Sequence, residues 1–308
     1  MVDGPLISVV VPVHNEQDDV VELTGLLRTV LEGPHEIIFV DDGSTDATWE
    51  RLRTLHEPGQ VRLLRLRRNF GKTAALAAAF AVVRGKVVVT MDGDLQDDPR
   101  EIPRFLEKLA GGSDLVVGWK KRRHDPINKV IASRIFNYAV AEVTGLKLHD
   151  INCGFKAFRS EVLPSLCLHG EMHRFIPVLA AARGFRISEI EVVHHPRKHG
   201  RSKYGLERLF KGFLDLITVT LITRFAERPA HGFAIVALPL LVAGTVTGVL
   251  CFVLYSRMEW AIFAAVLSLA GFLFLAAGWV AEVVVAQHHS PQQPLSACAS
   301  YDIEEQLD

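Results

Sequence analysis

Asp92-Gly93-Asp94-Leu95-Gln96 follows the short apolar run Val87–Met91. Two carboxylates separated by one small residue, where a strand breaks, can reach one divalent ion. Hard oxygen donors suit Mg²⁺ or Mn²⁺. Mg²⁺ commonly keeps waters and shares itself with substrate phosphates, so two acids and a diphosphate complete such a site. The same residues also suit a polar turn, with Asp97 or Asp98 capping a helix opened by Pro99. The position directly after a buried strand favours the metal.

A second acidic cluster, Asp41-Asp42-Gly43-Ser44-Thr45-Asp46, closes the run Ile37–Val40. Acids at a strand end can accept hydrogen bonds from a nucleobase or ribose; they also build Asx-type turns and helix caps. Asn69-Phe70-Gly71-Lys72-Thr73 imitates part of a phosphate-binding P-loop, but that motif needs a glycine where Leu66 stands. Gly71-Lys72 at a helix start can still bring a cation to a diphosphate. Lys120-Lys121-Arg122-Arg123, with Lys129, Ser133 and Arg134, is either a solvated charged loop or a seat for an anionic lipid headgroup. Arg197 to Tyr204 repeats that chemistry. His194, His195 and His199 lack the cysteines or the helical spacing beside an acid that zinc would require.

These residues need a frame, and alternating strand and helix patterns supply one. Ile7–Val13 reads as a short apolar run of the kind buried in parallel sheets, and Ile37–Val40, Val61–Leu66 and Val87–Met91 read as the next three strands. Leu115–Val117 and Ile187–Val193 add two more. Between them, Val20, Leu23, Leu27, Val30 and Leu31 recur at helical spacing until Gly33-Pro34. Asp46 caps a helix to about Leu55, and Lys72–Val83 and Asn128–Val143 read as helices. Repeated βαβ units imply an open, mostly parallel sheet with ligands beyond the carboxyl ends of its strands. The acids at 41–42 and 92–94 then face one crevice.

The rest of the chain is different in kind. Of 308 residues, 34 are Lys or Arg and 35 Asp or Glu, a net charge of −1 that argues against coating nucleic acid. Mean hydropathy is +0.22, with 49% hydrophobic residues. The excess is concentrated in His231–Ser256 and Trp260–Ala281, where no charge occurs except Glu259 and Arg257 between them and Glu282 just after. A helix of the first stretch is roughly 39 Å long, enough to cross ~30 Å of hydrocarbon. Two spans and a tight turn make a membrane hairpin, with Tyr255 and Trp260 at one interface and Gly244 and Gly248 allowing close helix approach. Residues 197–228 hold eight Lys or Arg against three acids, which places the main domain in the cytosol. Gly205–Phe225 suits an amphipathic helix lying in the interface. Four scattered cysteines and an N-terminal strand in place of a signal peptide fit a reducing compartment.

Pro12-Val13-His14-Asn15-Glu16, DDGSTD at 41–46, NFGK at 69–72, DGDLQDDP at 92–99, CGFK at 153–156 and GRSKYG at 200–205 occur in that order before the hairpin. Together they resemble the family-2 glycosyltransferases of GT-A fold, in particular the polyprenyl-phosphate group that includes dolichyl-phosphate mannose and glucose synthases. The resemblance implies that Asp92, Asp94 and Gln96 hold Mg²⁺ or Mn²⁺ on a sugar-nucleotide diphosphate, with Asp92 and Asp94 the catalytic acids. Pro12, His14, Asn15, Glu16, Asp41, Asp42, Lys72 and Asp92 would line the donor pocket. Lys120, Arg122, Lys129, Ser133, Arg197, Ser202 and Lys203 match positions that bind the acceptor phosphate. His14, Gly93 and Trp119-Lys120 depart from the commoner Tyr, Ala and Ser-Arg. The absence of QxxRW disfavours a processive polysaccharide synthase.

The expected fold is an α/β GT-A domain, mostly parallel, at 1–204. A juxtamembrane amphipathic segment at 205–230, a two-helix hairpin at 231–287 and an acidic cytoplasmic tail at 288–308 follow. The expected activity is inverting transfer of a hexose from a UDP-glucose or GDP-mannose type donor to a polyprenyl phosphate at the cytoplasmic membrane. Both termini then lie in the cytosol, and homo-oligomer formation stays open. Two alternatives are a family-2 transferase acting on a glycolipid or diacylglycerol hydroxyl, which needs a general base, and a catalytically silent membrane subunit that binds nucleotide-sugars.

Overall fold

The computed structural model describes residues 7–121, 127–166, 168–196, 207–226, 228–255, 258–287 and 303–308. The chain forms two compact units, Met1–Leu216 with Gln293–Asp308, and Ile217–Gln292.

The first unit is built on an eight-stranded sheet. Its strands are β1 (Ile7–Val13), β2 (His35–Asp41), β3 (Val61–Leu66), β4 (Val87–Thr90), β5 (Leu115–Trp119), β6 (Lys156–Arg159), β7 (Ile187–Glu191) and β8 (Ile303–Leu307), in the order β7-β5-β6-β4-β1-β2-β3-β8. β1 pairs in parallel with both β2 and β4, β2 with β3, and β5 with β7. Apolar runs such as Val9–Val11 and Ile37–Val40 are buried because helices cover both faces. On α1 (Val20–Val30), Val20, Leu23, Thr24 and Leu27 turn inward. α2 (Thr48–Leu55) buries Trp49 and Leu52. α3 (Lys72–Phe80) buries every residue from Thr73 to Phe80, which is why five of its nine residues are the small alanine. α4 (Ile102–Ala110) inserts Ile102, Phe105 and Leu109, spaced for one helical face, and the Phe105 ring lies 4.5 Å from that of Phe155. α5 (Ile127–Thr144) and α6 (Ile176–Ala182) complete the cover.

Two strands depart from the expected pattern. β6 enters antiparallel between β4 and β5. At four residues it is too short to show a period, and only its non-local partners hold it in place. β8 corrects the expected acidic tail: its last residues are not an appendage but an edge strand antiparallel to β3. Arg62 of β3, 3% exposed, donates from Nε (2.9 Å) and Nη2 (2.5 Å) to Asp308 Oδ1, and from Nη1 to the buried Glu36 at 2.9 Å.

α7 (Glu207–Arg224) runs through the boundary between the units, where the sequence suggested an amphipathic helix at 205–225. The second unit pairs α8 (Pro229–Leu250) with α9 (Met258–Gln287). Stretches 229–253 and 258–285 are long and apolar enough to cross a membrane, each with a mean hydropathy of 2.3. Ile235, Leu238, Val242, Leu269, Phe272 and Trp279 point outward and are more than half exposed, as lipid-facing side chains would be. The helices meet through small residues. A Cβ on Gly244 would lie 2.8 Å from the Ser268 nitrogen, and one on Gly271 would lie 2.6 Å from Leu241. Gly248 has more room. Glu282 Oε2 accepts the Ala230 N–H at 2.9 Å, satisfying one of the free donors at the start of α8.

Candidate active site

The carboxyl ends of β1, β2 and β4 lie side by side, with Val13 opposite Asp41 and Val10 opposite Thr90. β1 is where the chain order reverses, since β2 and β3 extend one way and β4 the other. Open sheets place their ligand crevice at such a switch point. The two acidic clusters therefore do arrive at one place, as their strand-end positions implied.

The loop after β2 is held by its own acids. Asp41 Oδ1 accepts the Ser44 N–H at 3.0 Å. Asp42 Oδ1 accepts from Phe70 N–H at 2.7 Å and Oδ2 from Gly71 N–H at 2.9 Å. Burial pushes both carboxyls above their ordinary range, against these hydrogen bonds. Gly43 has φ 65°, and a Cβ there would lie 2.4 Å from the Arg68 carbonyl carbon, so only glycine fits. Across the crevice mouth, Asn15 adopts φ 59° and accepts the Thr45 N–H on Oδ1 at 2.8 Å, while its own N–H reaches Ser44 Oγ at 2.9 Å. His14 Nδ1–H donates to the Asp42 carbonyl at 2.9 Å, and the Glu16 N–H reaches Thr48 Oγ1 at 2.9 Å. Pro12, half-buried, lies opposite Val40 near the end of β1.

The DxD segment sits one strand away. Gly93 packs against the end of β1, where an added Cβ would come within 2.6 Å of Val13 Cγ1. Asp94, 5% exposed, accepts the Gln96 N–H at 3.3 Å, and Leu95 takes a left-handed φ of 58°. The Gln96 side-chain amide donates to the His195 carbonyl at 3.4 Å. Asp98 supplies the expected cap, accepting Arg100 N–H at 3.0 Å. Burial raises the Asp98 carboxyl, but bonds from Arg100 and His195 outweigh it and bring it to about 2.

Asp92 Oδ1 accepts a hydrogen bond from Lys72 Nζ at the start of α3. Burial disfavours its charge, yet Lys72 and then Lys120 overcome this and hold the carboxyl well below the usual range. Lys120 makes a 2.7 Å ion pair with Asp97, whose other oxygen accepts the Asp92 N–H at 3.4 Å. Lys120 thus stands beside the acidic site, paired, and not on the surface run that its neighbours Lys121 to Arg123 suggested. Burial alone would lower it, but Asp97 and Asp92 push it up.

Several participants carried no clear signal in the sequence. A Cβ on Gly154 would lie 2.7 and 2.9 Å from the Asp92 carboxylate oxygens and 2.9 Å from Lys72 Nζ, so the backbone of CGFK forms a wall of the site. Lys156, fully buried, donates from Nζ to the Cys153 carbonyl, and burial pushes it down to about 8. Burial also lifts the Cys153 thiol to about 12. Thr73 Oγ1 and His173 Nδ1 are 2.7 Å apart, and burial, then Lys72, keeps His173 neutral. Lys156 was visible within CGFK, but a lone His173 100 residues from Thr73 had nothing local to mark it.

On the acceptor side, Ser133 of α5 is half-buried. Arg122, Arg197, Ser202, Lys203 and the Lys129 side chain lie outside the described residues. Trp119, where the resemblance expects serine, stacks on His149 with ring centres 4.1 Å apart and planes 17° apart. Lys121 Nζ lies 5.3 Å from the same indole.

Among the described residues, no three His, Cys, Asp or Glu converge. Asp92 already receives one cation, the Lys72 ammonium, which shows an ionised oxygen ligand open to positive charge. Two carboxylates and an amide, all hard donors, fit Mg²⁺ or Mn²⁺ shared with a substrate diphosphate and water.

Comparison with known proteins agrees with this geometry. Residues 8–166 match the model described as Glycosyl transferase family 2. The dodecaprenyl-phosphate galacturonate synthase of Rhizobium johnstonii is 43% identical over 243 residues, covering 76% of this chain and 72% of that protein. The undecaprenyl-phosphate 4-deoxy-4-formamido-L-arabinose transferase of Edwardsiella ictaluri is 40% identical over 219 residues, 69% of this chain and 67% of its own. Among solved structures, glucosyl-3-phosphoglycerate synthase from Mycobacterium tuberculosis, in complex with Mn²⁺, uridine diphosphate and phosphoglyceric acid, shares the fold. Its TM-score is 0.55 at 22% identity, covering 71% of this chain and 78% of that one.

Proposed function

Because the chain belongs to glycosyltransferase family 2, it is a glycosyltransferase, and we propose that it transfers a hexose from a nucleotide-diphosphate sugar to a polyprenyl phosphate with inversion at the anomeric carbon. The observation that carries this proposal is the meeting of Lys72, Asp92 of the DxD segment and the Asp42-anchored loop at the switch point of a sheet whose chain also bears an apolar helical hairpin. The named relatives act on polyprenyl phosphates, and a lipid-borne acceptor explains why a crevice of this kind shares a chain with membrane-crossing helices.

In the transfer, an oxygen of the lipid phosphate forms a bond to the anomeric carbon as the bond from that carbon to the diphosphate breaks. A phosphomonoester loses its second proton near pH ~6, so the nucleophile is already anionic and no side chain has to remove a proton. The Asp42-anchored loop and Asn15 bound the pocket for the nucleoside, and Lys72 places positive charge by the leaving diphosphate. Asp92, Asp94 and Gln96 would hold Mg²⁺ or Mn²⁺, which when bound supplies further positive charge there. Lys120 braces Asp97 and so the turn that carries Asp92. Arg122, Lys129, Ser133, Arg197, Ser202 and Lys203 are assigned to the acceptor phosphate by the family motif.

The hairpin is assigned to the cytoplasmic membrane as two spans with the catalytic unit in the cytosol. Eight Lys or Arg against three acids in 197–228 support that side.

A donor screen of UDP- and GDP-sugars against a short-chain polyprenyl phosphate, with Mg²⁺ and Mn²⁺, tests the activity. The expected product releases its sugar in mild acid, as a phosphoglycoside does. An acid-stable glycoside would show that the acceptor is a hydroxyl.

A further inference from the structure

Two lysine–aspartate pairs lie next to each other at the site, and they differ in accessibility. The Lys120 and Asp97 side chains are 13% and 0% exposed, whereas those of Lys72 and Asp92 are 29% and 34% exposed. The first pair is sealed into the fold. The second opens on the crevice, and its lysine hangs on a flexible four-carbon stem at the first residue of α3. Gly71, in the left-handed region at φ 95°, and Thr73, bound to His173, fix the backbone on either side, leaving the Lys72 side chain as the part that can move. The Gly154 backbone closes the pair from one side, so an ammonium leaving Asp92 moves away from that wall.

A divalent cation arriving at Asp92 meets Lys72 already on the same carboxylate. Two cations on one oxygen set repel, and the mobile one yields. We propose that Lys72 is the resident counter-ion of Asp92, exchanged for the metal when the donor arrives and then transferred to the donor diphosphate. This rests on the metal-dependent transfer proposed above and adds to it an order of events. Without nucleotide, Lys72 suppresses metal binding; with nucleotide, the diphosphate offers the displaced ammonium a new anion. Metal and donor then bind cooperatively through one side chain, a coupling that is reciprocal.

The test is Mn²⁺ titration of the full-length protein in detergent, read by loss of the free-ion electron paramagnetic resonance signal, with no nucleotide and then with UDP or GDP. Lys72→Met is expected to bind Mn²⁺ about tenfold more tightly than wild type without nucleotide, as removal of an adjacent like charge requires. It is expected to bind Mn²⁺ with nucleotide more weakly than wild type. Lys72→Arg keeps the charge and should follow wild type in the nucleotide-free titration. Equal or weaker nucleotide-free Mn²⁺ binding by Lys72→Met overturns the exchange, and so does Mn²⁺ binding in the presence of nucleotide as tight as wild type's. Asp92→Ala separates the two levels: if Mn²⁺ binding survives there, the metal assignment itself falls, whatever Lys72 does.

Discussion

Asp42 and Gly71 are joined by a 2.9 Å hydrogen bond from the Gly71 N–H to Oδ2, while Oδ1 holds the Phe70 N–H. The loop after β2 therefore sets the start of α3, and with it the origin of the Lys72 side chain. An acid that reads as a nucleotide ligand does its first work on the protein backbone.

Asp42→Ala should consequently damage more than nucleoside recognition. Two hydrogen bonds to a carboxylate, each worth ~1.5–3 kcal/mol, are lost, and Lys72 loses its register. We expect donor KM to rise at least ~10-fold and kcat to fall with it. Asp42→Asn keeps one acceptor and should be intermediate. Steady-state kinetics on both variants is the measurement; a change in KM alone would confine Asp42 to nucleoside binding.

Gly154→Ala places a methyl group where the Asp92 carboxylate and Lys72 ammonium now meet. The pair must separate, and we expect kcat/KM to fall ~100-fold, the scale of losing one electrostatic contact to a leaving group. Circular dichroism should be unchanged. Wild-type activity in this variant would mean that the pair has slack on the Gly154 side.

Lys156 gives a pH signature. Its ammonium is pushed down to about 8 by burial, from 10.5 in the open chain. Between those values the unfolded chain binds the extra proton, so this group makes stability rise with pH across the window, by at most about 1.4 kcal/mol per unit. Below pH 8 the buried charge weighs on the fold in full. Thermal unfolding of wild type and Lys156→Met should therefore converge as pH rises from 8 to 10.5. A constant difference in Tm would place the Lys156 titration elsewhere.

Removal of residues 303–308 should lower Tm and leave catalysis nearly intact. Arg62 would keep Glu36 but lose Asp308, and the edge of β3 would open. Asp308 is half exposed, so the ion pair alone contributes ~1 kcal/mol or less, and Asp308→Ala should cost less than deletion. Arg62 lies toward the amino end of β3, away from the crevice. Loss of activity at temperatures where the truncated protein is folded would tie β8 to the site.

The sequence by itself determined the parallel sheet, because both-face burial forces apolar runs such as Val9–Val11 and Ile37–Val40. It determined the location of the acids, because strand ends are where such runs stop. It also determined the hairpin, because long uncharged stretches leave few other folds. Only the tertiary structure decided how the charges pair. Lys120 stands in a basic run, yet its partner is Asp97; Lys72 finds Asp92 across 20 residues, and Glu282 finds the start of α8 across 52. The acidic Ile303–Leu307 carries no strand period that could have announced β8. Burial patterns repeat along the chain and can be read locally, whereas a charge pair depends on which distant backbone the fold brings within about 3 Å.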